Sequence, residues 1–186
     1  MSRKDFNVGK PGPGFAILML TIAIGAALVL AACGGDDDRE PEGPAASYLK
    51  QLSALITLAN VQLRDLEARH PAAFEELDPT RTYYASYTET FDRFLDAAKE
   101  LPVAAELREG HDEYVAAGEA LSAFHTARLA DIEGATTMEE VNAAVADDPE
   151  YTAAVDRQKA ACTALASIAE TQGITAPTLA VCIKLP

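Results

Sequence analysis

An all-α fold, an up-down antiparallel helical bundle of about four helices with an extended C-terminal tail, is what this chain of 186 residues predicts. Three observations carry the expectation. Ala occurs 37 times, Trp is absent and Tyr and Phe number 6 each, a composition rich in the best helix former and poor in strand-favouring aromatics. Apolar residues recur at alternating spacings of three and four, the period of one helical face. Pro, Gly and capping residues punctuate these stripes so closely that the connections are short, which favours antiparallel neighbours. Apolar residues at 49% with modest Gly, Pro and Cys exclude a collagen, a disulfide-dense mini-protein and a wholly disordered chain.

The first stripe, Leu49, Leu52, Ile56, Ala59, Leu63 and Leu66, predicts a helix from about Pro44 to Arg69. His70-Pro71 ends it, because the residue before a proline is pushed out of the helical region. A turn through Phe74 and Leu77, closed by Asp78-Pro79, leads to the most aromatic stripe, Tyr84, Tyr87, Phe91, Phe94, Ala98 and Leu101, in a helix starting at Pro79 or Thr80. Pro102 breaks that pattern. A long helix then begins at Val103 or Glu109 and runs to Ile132, with Gly134 as its stop. Thr137-x-x-Glu140 has the form of a capping box, and Asp148-Pro149 supplies a cap and a first residue for the last helix, which runs to Gly173. Beyond it Leu179, Val181, Ile183 and Leu185 alternate, as an extended strap does.

The amino terminus reads as an address. Met1 to Gly14 carries Arg3, Lys4 and Lys10 against Asp5, and an uncharged run follows from Phe15 to Ala32, the layout of a signal peptide over residues 1–32. The run ends in Leu30-Ala31-Ala32-Cys33, which resembles the lipobox of bacterial lipoproteins, those of helical type. That resemblance covers only the signal and the first mature residue. It implies that Cys33 becomes a lipid-bearing N-terminus on the extracytoplasmic face of the cell membrane. The alternative is a retained transmembrane anchor, for 18 apolar residues lie at the lower edge of what spans a bilayer. Residues 33–46, rich in Gly, Pro and acids, read as a flexible tether, and 47–186 as the bundle domain with its strap. Without the signal the chain holds 12 basic against 28 acidic residues, a balance that repels nucleic acid, whose binding depends on Lys and Arg.

With Cys33 assigned to lipid, Cys162 and Cys182 remain as an even pair, expected to form a disulfide in an oxidising compartment. Neither a metal site nor a cofactor is implied. Glu67-x-x-His70 has the spacing used by di-iron bundles, but Arg108 and Ser122 stand where a second copy before His111 or His125 needs its Glu. His111 and His125 fall on one helical face yet about 21 Å apart, too far for one ion. A haem attachment motif, a Gly-x-Ser-x-Gly elbow and a Gly-rich phosphate loop are all missing, so no enzyme is expected.

Tyr84, Tyr87, His111 and Tyr114 are the candidate ligand-binding residues. The aromatic stripe suits a pocket between helices, and Gly110-His111-Asp112-Glu113-Tyr114 gathers polar chemistry near a helix start; core packing and a helix dipole are the competing uses of the same residues. The expectation is a non-enzymatic binding or interaction module held at the membrane by its lipid, with an envelope protein as partner. The alternative is an extracytoplasmic bundle that binds a small ligand or a metal.

Overall fold

The structure, a computed structural model, describes residues 43–146, 148–180 and 182; the signal segment, Cys33, the acidic stretch to residue 42 and the tail residues Val181, Ile183 and Leu185 lie outside these. Within them the chain forms helices α1 (Pro44–Arg69), α2 (Leu77–Lys99), α3 (Arg108–Gly134), α4 (Met138–Ala144) and α5 (Pro149–Thr171), with 3-10 turns at Ala105–Leu107 and Pro177–Ala180. No strand occurs among the described residues, and no helix there is long and apolar enough to cross a membrane. The fold is an all-α bundle.

Helix boundaries follow local chemistry. Pro44 starts α1 after an extended Gly43, and Ala45 is buried, so residues 44–46 belong to the bundle rather than to the tether. Arg69 ends α1 before His70-Pro71. Helix α2 starts at Leu77, two residues earlier than expected, because Pro79 lies in the first turn, where its missing N–H has no intrahelical partner to lose. Thr137 and Glu140 form the expected capping box, and Asp148 accepts hydrogen bonds from the Glu150 and Tyr151 amides at the start of α5. At its far end Ile174 N–H donates to Ala169 O at 2.8 Å and Gly173 N–H to Glu170 O at 3.0 Å, a Schellman motif that needs the positive φ of 67° at Gly173.

Helix α1 packs on α2, α2 on α3 and α3 on α5, each pair antiparallel. Cross-contacts fix the register: His70 meets Tyr83, Arg81 Nε donates to Ile132 O, Ser122 Oγ to Asp92 Oδ1, and Arg157 to the Glu113 carboxylate. The four stripes converge on one core whose largest fully buried members include Tyr48, Leu52, Ile56, Tyr87, Phe91, Tyr114, Leu121 and Leu165. Helices α1 and α5 meet mainly through the C-terminal strap. Its described part is curled rather than extended. Pro177 opens a 3-10 turn in which Leu179 N–H bonds to Ala176 O and Cys182 N–H to Thr178 O, and these local bonds replace the strand ladder that an alternating pattern would need. The turn buries Leu179, donates from Thr178 Oγ1 to Ser53 O on α1, and is joined to α5 by the Cys162–Cys182 disulfide.

Candidate functional site

Two clusters of buried polar side chains interrupt the apolar core. The first lies where α1, α3 and α5 meet. Tyr48 Oη stands 3.0 Å from His111 Nδ1. Burial, with a contribution from Asp112, pushes the Tyr48 phenol far above its usual range, while burial lowers His111, so the bond joins a protonated phenol to a neutral imidazole. Tyr114 lies one turn further along α3, its hydroxyl pushed far up by burial. Gln158 of α5 comes close enough to offset part of that effect, although neither the hydroxyl nor the Gln158 amide completes a hydrogen bond.

The second cluster lies between α2, α3 and α5 and centres on His125, only 2% exposed. Its ring is met edge-on by Tyr87 at 4.9 Å, Phe91 at 5.0 Å and Tyr151 at 5.8 Å between centroids. Burial, aided by the nearby Arg128, drives the His125 pKa down to about 4, so the imidazole is neutral at physiological pH. His125 Nε2 and Tyr87 Oη are buried and make no hydrogen bond; Tyr151 Oη, also buried, completes none of full geometry but lies close enough to Arg128 for the guanidinium to offset part of the rise that burial causes. The Arg128 guanidinium lies 4.4 Å from the centre of the Tyr151 ring, a cation–π contact. Tyr83 and Tyr84 extend the cluster toward the α1–α2 turn, where Phe74 packs on both rings at 5.2 and 5.9 Å. Burial takes Tyr83 to about 12 and Tyr87 further above its ordinary value.

The four residues expected to share one pocket are therefore divided. Tyr84 and Tyr87 belong to the His125 cluster; His111 and Tyr114 belong to the Tyr48–Gln158 cluster, with His111 about 21 Å from His125 along α3 at 1.5 Å per residue. A single pocket made of all four is not formed, because the face that carries both histidines spreads them over nearly four turns. Sequence reasoning weighed His125 only as a metal ligand and assigned no site role to Tyr151, Gln158 or Tyr48. The signal for them was register: His111, Tyr114, Gly118, Leu121 and His125 step by three and four, as do Tyr151, Ala154, Gln158 and Cys162, so a polar residue on such a stripe is buried.

The surface offers a shallow hollow of about 830 Å³ lined by Ala105, Arg108, Glu109, Asp112 and Glu113, near the start of α3. It is lined by neither buried cluster. Among the described residues no three His, Cys, Asp or Glu side chains gather as a metal ion would require. Comparison with protein families, with curated proteins and with solved structures finds no match to this chain.

Proposed function

We propose that the protein is an exported lipoprotein whose helical domain, held by a lipid on Cys33 at the outer face of the cytoplasmic membrane, serves as a non-enzymatic binding or interaction module. The observation that supports this most is the bond between Cys162 and Cys182. It accounts for two of the three cysteines and suits an oxidising compartment; the third, Cys33, ends the lipobox-like Leu30-Ala31-Ala32-Cys33. Two acyl chains on Cys33 suffice for stable anchoring, and the acidic stretch behind it holds the domain off an anionic bilayer. Metabolic labelling with palmitate tests the reading. Label should enter the wild-type chain and be lost, together with membrane fractionation, in Cys33→Ser. An unlabelled wild-type chain, or a processed Cys33→Ser chain that still partitions with membranes, overturns it.

A further inference from the structure

The seam between α1 and α5 is filled as a groove is filled by a bound peptide. Three polar side chains of α1, Ser53, Thr57 and Asn60, step by four and three along one side of the helix, and all three bond to the strap. Thr178 Oγ1 donates to Ser53 O at 2.6 Å and accepts from Ser53 Oγ at 2.5 Å and from Thr57 Oγ1 at 3.2 Å, which uses its one donor and both lone pairs. Asn60 Nδ2 donates to Cys182 O at 3.0 Å, and between these anchor points Leu179 is fully buried. One helix that reads a hydroxyl, an apolar side chain and a backbone carbonyl of a passing segment follows the logic of peptide recognition, and α1 and α5 have little direct contact beneath it. The place of the strap in the chain is a second observation. It follows α5 through residues 172–176, which double back at Gly173 with a φ of 67°, and it holds Cys182 at a φ of 57°, a left-handed conformation rare outside glycine. Its departure from the seam unwinds no α-helix.

We propose that the α1–α5 seam is a binding groove for the C-terminal strap of a second copy of this chain, filled by the chain's own strap in the monomer and locked there by the Cys162–Cys182 bond. The seat makes the same contacts whichever copy supplies the strap, so an exchange between two copies costs only their association and frees the connector from its sharp reversal. With both thiols reduced, two copies trade straps. Oxidation then fixes the arrangement present: the sulfurs of Cys162 and Cys182 join, and their two protons and two electrons pass to a disulfide oxidant, which leaves as two thiols. A bond within one chain gives the locked monomer described above. Bonds between copies give a covalent dimer in which both seams are filled.

The inference rests on the reading of the domain as an interaction module, names its partner as a second copy, and is independent of the lipid on Cys33. Its test uses the full chain in detergent carrying Cys33→Ser, so that Cys162 and Cys182 alone can pair. Equal amounts of isotope-labelled and unlabelled protein are reduced, mixed, reoxidised with oxidised glutathione at increasing protein concentration, and digested for mass spectrometry. Peptides joined through Cys162 and Cys182 should include labelled–unlabelled hybrids, whose share rises with concentration toward about one half by mass action. Pairs of Cys162 with Cys162, or of Cys182 with Cys182, should be at least about tenfold rarer, because a seated strap brings only the unlike sulfurs within bonding reach. Thr178→Val takes the hydroxyl from the seat and should raise those like pairs about fivefold relative to the unlike one. If reduction costs the chain its helices by circular dichroism, the two populations are refolded together before oxidation and the same hybrids are read. An absence of hybrids at every concentration, like pairs as frequent as the unlike one, or unchanged pairing in Thr178→Val overturns the groove. Any of these leaves anchoring at Cys33 as it was, for palmitate labelling decides that separately.

Discussion

His125 shows how one side chain can make a helical core sensitive to acid. Its folded-state pKa of about 4 lies well below the ordinary 6.5, so between those values the unfolded chain takes up a proton that the folded chain refuses. The stability this residue allows is complete above about pH 6.5, falls as the pH drops and levels off below about pH 4, a total of roughly 3 kcal/mol. His111, also lowered by burial, works in the same direction. Urea unfolding at pH 7.5, 5.5 and 4 should show wild type losing about 3 kcal/mol more than His125→Leu across that range. Equal losses in the two proteins would mean that His125 titrates as an exposed histidine does. Arg128 contributes to the same depression because a second positive charge beside it is unfavourable.

At the scale of elements, α3 lies close against α2 at Gly118. A Cβ built on Gly118 would stand 2.7 Å from Leu95 Cδ1, whereas one on Gly134 meets nothing within 4 Å. Both glycines lie in α3, and in an open helix Ala is favoured over Gly by up to about 1 kcal/mol. Gly134→Ala should therefore stabilise the protein by about 0.5 kcal/mol, given its place at the helix end, while Gly118→Ala should give no gain or a loss. Chemical denaturation of the two variants checks this, and an equal gain from both would show that Leu95 can move aside. The spacing that sets α2 and α3 together also brings Tyr87 and Phe91 against His125, so packing around Gly118 and the candidate site share one interface.

The whole molecule depends on its strap, because α1 and α5 have little direct contact and the turn carrying Leu179 occupies the seam between them. The disulfide that holds the turn spans a sequence separation of 20. Closing a loop of that size in the unfolded chain is worth about 3 kcal/mol by chain entropy. Replacing both Cys162 and Cys182 by Ser should lower stability by about that amount and speed hydrogen exchange along the faces of α1 and α5 that the strap covers, around Ser53, Asn60 and Cys162, before those of α2 and α3. Exchange that quickens evenly over α1, α2, α3 and α5 would argue instead for a strap that acts only through the unfolded state.

Much of this architecture is legible in the chain. Local rules, the three-four stripes, the proline after His70, the capping box at Thr137 and Asp148 before Pro149, act within a few residues and so are written where they operate. The disulfide was readable from cysteine arithmetic for the same reason, as it needs only a pair. The described part of the tail was not, since alternation shows which side chains share a face but not whether a partner strand exists; there the chain curls, with Leu179 N–H bonded to Ala176 O and Cys182 N–H to Thr178 O. Which polar residues meet is likewise a property of the assembled bundle. Tyr87, His125 and Tyr151 are 38 and 26 residues apart in sequence and come together only when α2, α3 and α5 pack, whereas His111 and Tyr87, grouped by their residue types, are parted by the rise of α3. Sequence by itself determined the helices, their faces and their ends, because those depend on neighbours along the chain; tertiary structure decided the clusters, because a contact between helices depends on how their faces register in space.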